Sequence, residues 1–189
     1  MTCQSVTWYA GSLPLLLSLG ADVTAIDIPL GLPSGGERRR CDVLARERLG
    51  SARSSVFFAP PAAVLAAASH AEASALSRAA GSVGVSIQTW NIVPKIREAA
   101  PFASALLEVH PEVSFRALGS VTAPKKSAAG RAERLALLRS WVPFELPSPR
   151  PGRAAVDDCL DALVCAWTAQ RWLRGRAEVL GSGERRIVV

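Results

Sequence analysis

Hydrophobic residues along the chain follow two spacings, one typical of buried strands and one typical of helices. The apolar runs at residues 23–28 and 103–109 end at proline or polar residues, which predicts two buried strands, and residues 186–189 predict a short third strand. Apolar, alanine-rich and amphipathic stretches predict helices before and between these runs. The predicted helices cover residues 13–19, 41–49, 60–80, 87–100, 128–141 and 154–173. Strands that alternate with helices favour an α/β architecture.

Capping and helix-breaking residues support several of these boundaries. Ser12 is a suitable N-cap for the first helix, and Gly50 is a suitable end for the second. Pro111 can start a helix directly after the second strand, whereas Pro94 predicts a weak or interrupted helix around it. The proline-rich segment 143–152 predicts a linker before the last long helix.

Size and composition predict one domain, residues 1–189, with a substantial core, because 49% of its residues are hydrophobic. The apolar stretch at residues 13–19 is too short to span a bilayer and has no basic residues before it, so we expect a protein that is neither membrane-inserted nor exported. The four cysteines are scattered without a CxxC pair, which predicts neither a zinc knuckle nor a disulfide framework and suits the reducing cytoplasm. They are Cys3, Cys41, Cys159 and Cys165.

The chain carries a formal net charge of +6 and has a pI near 9.8. Most of the positive charge comes from arginine, whose planar guanidinium binds phosphate in a bidentate fork, so a polyanion such as nucleic acid is a plausible partner. The alternative is that richness in arginine and alanine reflects genome base composition, because charge alone does not define function.

Carboxylates inside apolar segments are the strongest chemical signal in the sequence. Asp27 stands in the strand-like run at residues 23–28, and Asp161 stands among apolar residues of the last helix. A charge on a packed face is costly unless it is paired or binds a cation. Asp157 and Asp158 lie four and three residues before Asp161, so either can share a helix face with it. The pattern predicts a site for Mg²⁺ or Mn²⁺, which prefer oxygen ligands. Two such ions bound side by side can stabilise the attacking and leaving oxygens of a phosphodiester.

Each of these carboxylates also has a structural interpretation. Asp157 can simply favour the positive end of the helix dipole, and Asp27 can brace the loop at Gly31. Near the end of the second strand, Glu108 and His110 can supply a ligand, a general base or a group that orients water. The alternative for His110 is a hydrogen bond to its loop, and Glu112 beside it can be a residue that favours a helix start.

Basic residues in loops and at helix starts are candidates for holding a phosphate backbone. The alternative for each of them is an ordinary solvated surface charge. These residues are Lys95, Lys125, Lys126 and Arg131.

Motifs distributed in order over nearly the whole chain resemble domain-of-unknown-function family four-twenty-nine (DUF429), described as predicted nucleases with a ribonuclease H-like fold. The resemblance includes the run from Ile26 to Pro33, Arg40-Cys41-Asp42, and the run from Glu108 to Phe115. It continues through Ser54-Ser55-Val56-Phe57, Ser86-Ile87-Gln88, Pro94-Lys95-Ile96, Lys125-Lys126, Gly130 with Arg134, and Asp157-Asp158 with Asp161-Ala162.

The resemblance implies a ribonuclease H-like mixed sheet flanked by helices, with acidic residues that bind two divalent ions. It places Asp27 at the position of the acid on strand four, and Asp158 with Asp161 on the late helix, at a spacing similar to that of Holliday-junction resolvases. Family members usually begin with a strand carrying a Gly-x-Asp-Gly-like motif, and no such motif precedes Val23. We therefore expect an N-terminally shortened fold with an exposed sheet edge, which favours a homo-oligomer.

These observations predict a metal-dependent nuclease that uses Asp27, Asp158 and Asp161 as catalytic ligands, with Glu108, His110 or Asp157 assisting. One alternative is a non-catalytic module that binds nucleic acid or protein, and another is an inactive, shortened member of the family. Phosphoryl transfer on a nucleotide is a third possibility, although the sequence has no glycine-rich phosphate loop.

Overall fold

Helices and strands alternate along the chain in the computed structural model, which describes residues 5–189 apart from the side chain of Arg153. Cys3 lies outside the described residues. The helices are α1 (Leu13–Leu17), α2 (Arg40–Leu49), α3 (His70–Ala79), α4 (Ile87–Ala99), α5 (Pro111–Leu118), α6 (Ala128–Trp141) and α7 (Val156–Leu173). The strands are β1 (Thr24–Ile26), β2 (Leu106–Glu108), β3 (Val179–Ser182) and β4 (Arg185–Val188). Short 3₁₀ helices occur at Gly50–Ser55, Ala62–Ala66, Ala100–Ala105 and Pro151–Arg153. The fold is mixed α/β, as the alternation predicts.

Two pairs of strands form the sheet structure. β1 runs parallel to β2, with Thr24 opposite Leu106 and Ile26 opposite Glu108. β3 and β4 form an antiparallel hairpin that turns at Gly183, which adopts a positive φ of 59°. A parallel bridge between Val109 and Val188 brings the hairpin beside the end of β2. Within the described part of the chain, β2 is the one strand that pairs with β1.

Apolar side chains of three helices form the largest part of the core. α7 packs against β1, α5 and α6. The buried residues between these helices include Phe115, Leu138, Leu160, Val164 and Trp167. A second cluster holds the β3–β4 hairpin against α2 and α5. This packing fixes the positions of α5 and α7 relative to the ends of β1 and β2.

Apart from shifts of their bounds, the observed elements differ from the predicted ones at three places. The predicted helix 60–80 is divided, because Ser69 accepts a hydrogen bond from the Glu72 backbone N–H and starts α3 as a new helix. α4 continues through Pro94, whose ring lies on the exposed side of the helix. The predicted tail strand corresponds to β4, and its hairpin partner β3 was not predicted.

Cys41, Cys159 and Cys165 are buried free thiols, so among residues 5–189 no disulfide is formed. The same part of the chain contains no helix with the length and apolar character needed to cross a membrane.

Candidate active site

Two carboxylates that are far apart in the sequence meet at the carboxyl end of β1. Asp27 directly follows Ile26, the last residue of β1. α7 packs on this strand and carries Asp161, whose charge raises the pKa of Asp27. Glu112, in the first turn of α5, contributes to the same effect. We call Asp27, Glu112 and Asp161, together with the neighbouring Lys125, the acidic cluster.

The Lys125 ammonium lies among the carboxylates of the acidic cluster. Its Nζ is 2.6 Å from Oδ2 of Asp161 and 3.9 Å from Oε1 of Glu112. Partial burial lowers the pKa of Lys125, but the pair with Asp161 outweighs that effect and the pKa is raised. Lys125 is therefore a protonated cation in the centre of the cluster. The sequence predicted Lys125 as a phosphate contact, and the structure adds that it neutralises the acids.

Asp27 titrates far from the usual range of an aspartate. Its pKa is raised to about 7, first because surrounding protein atoms reduce the hydration of the carboxyl, and then because Asp161 lies close to it. Lys125 opposes this rise. Part of the Asp27 side chain remains accessible to solvent. Asp27 thus changes its charge near neutral pH, and carboxylates with such raised pKa values are common at functional sites.

Asp161 has one oxygen without a partner. Lys125 donates to Oδ2, whereas Oδ1 is buried and accepts no hydrogen bond. Burial raises the pKa of Asp161, and Lys125 opposes the rise. A buried oxygen without a donor is costly to the fold unless a bound group satisfies it. This is the position in the cluster where a hard cation would find a free ligand.

Asp157 and Asp158 have different surroundings from Asp161. Asp158 is exposed, and its Oδ2 accepts a hydrogen bond from the Ala155 backbone N–H at 2.8 Å, which caps the start of α7. Asp157 accepts a hydrogen bond from Arg131 Nε at 2.8 Å, and this bond lowers the pKa of Asp157. The structure therefore brings Asp161 to the cluster. Asp157 lies near Asp161 but forms its ion pair with Arg131, and Asp158 caps the helix backbone.

Glu108 belongs to a buried ionic network. Its Oε1 accepts from Arg39 Nη2 at 2.7 Å, and its Oε2 accepts from Arg39 Nη1 at 2.8 Å and from the Leu30 N–H at 2.6 Å. Arg39 also pairs with Asp42 at 2.5 Å, and the side chains of Arg39, Asp42 and Glu108 are 2%, 1% and 6% exposed. Burial raises the pKa of Glu108, and Arg39 opposes the rise. These contacts occupy Glu108, which the sequence had placed among the catalytic candidates.

His110 has one free ring nitrogen beside this network. Its Nε2 lies 3.3 Å from the Ser55 carbonyl, which can only accept, so Nε2 carries the proton. Nδ1 is buried and has no partner, and burial lowers the pKa of His110. His110 and Asp27 border the same small cavity, of about 110 Å³. A neutral imidazole with an unshared lone pair at Nδ1 is able to accept a proton.

The remaining basic candidates lie in different places. Lys126 is exposed in the turn before α6, and Lys95 is exposed on α4. Arg131 is exposed on α6 in its pair with Asp157. Of the four predicted phosphate contacts, Lys125 is the one in the acidic cluster.

Three residues of the site were not singled out from the sequence. Arg39 and Asp42 complete the buried network, and Arg134 holds Glu112 through hydrogen bonds of 2.6 Å and 3.2 Å. Arg134 is 3% exposed on α6, where an arginine in a sequence gives no sign of burial. The sequence contained one indication of their importance, because Asp42 and Arg134 both lie in motifs on which the resemblance to DUF429 rests.

The carboxylates of the cluster supply oxygen ligands, but they do not form a complete metal site. Across residues 5–189, no three side chains of Asp, Glu, His or Cys are grouped in a way that could hold a metal ion. The oxygens of Asp27 and Asp161 nevertheless suit Mg²⁺ or Mn²⁺, and Oδ1 of Asp161 lacks any other partner. The residues fit such an ion on the condition that the Lys125 ammonium moves aside.

Comparison with known families agrees with this arrangement of motifs. A family model described as protein of unknown function (DUF429) matches residues 10–186. The chain belongs to this family. No curated protein and no solved structure matches the chain. The DUF429 match spans every residue of the acidic cluster and of the Arg39 network.

Proposed function

We propose that this DUF429 protein is a divalent-metal-dependent phosphodiesterase that acts on nucleic acid at the acidic cluster. The observation that carries the proposal is the meeting of Asp27 and Asp161 at the end of β1, with the pKa of Asp27 raised to about 7 and Oδ1 of Asp161 unpaired. Neighbouring carboxylates whose pKa values are both raised are typical of functional sites. The parallel pair β1–β2 with α7 packed on β1 supports a ribonuclease H-like arrangement.

In this proposal Asp27 and Asp161 hold Mg²⁺ or Mn²⁺, with Glu112 beside them. A bound divalent cation stabilises negative charge on phosphoryl oxygens and lowers the pKa of water. Once its ammonium leaves Asp161, Lys125 would be able to contact a phosphate oxygen of a substrate bound at the cluster. His110 Nδ1 would accept the proton released by the attacking water.

The direct test is cleavage of labelled single-stranded, double-stranded and branched DNA and RNA with Mg²⁺, Mn²⁺ or chelator. We expect scission that requires metal and that increases as the pH rises through about 7, because protonated Asp27 cannot bind a cation. Binding that is insensitive to chelator, without scission of any substrate, would instead support the non-catalytic module. Turnover of free nucleotides without strand scission would support phosphoryl transfer.

The Lys125→Met variant should bind Mn²⁺ about tenfold more tightly than the wild type, because a competing cation 2.6 Å from Asp161 is removed. Titration with Mn²⁺, followed by electron paramagnetic resonance or calorimetry at pH 8, measures this change. Lys126→Met is the matched control, because it removes the same charge from an exposed neighbour and should leave the affinity unchanged. Equal affinities in both variants would show that Lys125 is a permanent counter-ion and not a competitor.

A further inference from the structure

A groove with three arginines lies beside the 3₁₀ helix Gly50–Ser55. Its volume is about 520 Å³, and its lining includes Arg38, Arg46, Arg53 and Phe58. We call this surface the arginine groove. Glu47 is the single carboxylate among its lining residues. In the part of the chain that the structure describes, no carboxylate forms an ion pair with any of the three arginines. The groove therefore presents positive charge to solvent.

Phe58 positions two of the arginines. The guanidinium carbon of Arg38 lies 4.1 Å from the centroid of the Phe58 ring, and that of Arg46 lies 4.8 Å from it. Arg46 also donates a hydrogen bond to the Val56 carbonyl. These contacts hold the guanidinium groups without an anionic partner. Less side-chain freedom is then lost when an anionic ligand binds, which favours affinity.

The chemistry of the arginine groove matches a single strand of nucleic acid. Guanidinium groups bind phosphate oxygens through paired N–H donors. Their planar faces and a partly exposed phenylalanine ring can also stack on bases, and stacking of this kind requires bases that are not already stacked within a duplex. A free phosphate would use the charge of the groove but not its flat surfaces.

The arginine groove adjoins a second groove that leads to the acidic cluster. Gly50 and Arg53 line the arginine groove, whereas Ser51, Ser54 and Ser55 of the same 3₁₀ helix line the second groove. Glu112 and Lys125 of the acidic cluster also line that second groove, whose volume is about 330 Å³. Residues 50–55 therefore border both grooves. A strand that crosses the 3₁₀ helix reaches both.

We propose that the arginine groove binds a single-stranded segment of nucleic acid, which continues over Gly50–Ser55 to the acidic cluster. The path to the cluster rests on the proposed function, whereas binding in the groove does not. Because the arginine groove offers positive charge and surfaces for stacking, its ligand is recognised by phosphates and unpaired bases and not by a base sequence.

Binding can be measured by fluorescence anisotropy with a labelled oligothymidylate, in chelator, over a series of salt concentrations. We expect the Arg38→Ala, Arg53→Ala double variant to reduce the slope of log affinity against log salt by about 1.4, since each phosphate contact to a single strand contributes about 0.7. Phe58→Leu should weaken binding with little change in that slope, because it removes a stacking surface and no charge. The control is the Arg174→Ala, Arg176→Ala double variant, which removes two exposed arginines elsewhere and should bind as the wild type does.

An unchanged slope in the Arg38, Arg53 double variant would overturn the proposal, and so would equal affinity for a duplex of the same length. Circular dichroism and thermal melting establish that each variant is folded. Cleavage assays on the same proteins separate this proposal from the proposed function. If binding depends on the groove but the wild type cleaves nothing, the groove proposal stands and the proposed nuclease activity is wrong. If the wild type cleaves and the groove variants bind normally, the nuclease proposal stands and the groove proposal is wrong.

Discussion

Asp161→Asn should reduce metal-dependent cleavage by at least about 100-fold, because a bound cation contributes several kcal/mol to the transition state and each 1.36 kcal/mol is a factor of ten. The substitution keeps the size of the side chain and removes the charge that faces Asp27. Asp158→Asn is the matched control on the same helix. Its amide oxygen can still accept the hydrogen bond from the Ala155 N–H, so cleavage should stay near the wild-type rate.

The stability of the two variants separates chemistry from folding. Asp161→Asn should be at least as resistant to urea as the wild type, since it relieves the burial of a charge whose Oδ1 has no partner. A low rate in a well-folded Asp161→Asn protein would therefore reflect the loss of a ligand. Equal losses of activity in Asp161→Asn and Asp158→Asn would contradict this description of the site, and wild-type cleavage by Asp161→Asn would eliminate it.

The contrast between Asp158 and Asp161 illustrates what the sequence could predict. A carboxylate among apolar helix residues has to be paired or bound, so Asp161 was identifiable from the sequence. The role of Asp158 depended on where α7 begins. The predicted start was residue 154, but the helix begins at Val156, and Asp158 is then in the third position, from which it reaches back to the Ala155 N–H. A shift of two residues changes a candidate ligand into a cap.

Contacts between distant segments set the parts of the site that the sequence did not show. Lys125 is 36 residues from Asp161, and Arg39 is 69 residues from Glu108, and no local pattern encodes either pair. The strand β3 was missed for a related reason. Gly181 has a positive φ of 88°, and a Cβ at that position would approach Cys41 Cβ to 3.0 Å and the Arg185 carbonyl oxygen to 2.5 Å. This short, glycine-containing segment becomes a strand because β4 pairs with it and α2 packs on it.

Arg39→Met should destabilise the fold by about 3–5 kcal/mol, the usual cost of removing one partner from a buried ion pair. The side chain of Arg39 is 2% exposed and binds Asp42, Glu108 and the Leu30 carbonyl oxygen. Methionine fills much of the space but leaves two buried carboxylates without their counter-ion. Urea unfolding measures the change, with Arg40→Ala as control. Arg40 is the exposed neighbour, and its loss should change the free energy of unfolding by less than about 0.5 kcal/mol.

The pH dependence of the Arg39→Met variant tests whether the unpaired carboxylates cause its instability. Burial already raises the pKa of Glu108, and removal of Arg39 takes away the group that opposes this rise. Between the ordinary pKa of a glutamate and the higher value in the folded variant, the folded state holds more protons than the unfolded one, so stability falls as the pH increases. Because the pKa of Glu108 is already about 7 in the wild type, the deficit relative to the wild type should change little from pH 4 to about 7 and should grow as the pH rises further. A deficit that does not grow between pH 7 and 9 would assign the loss to packing around Arg39 and not to buried charge.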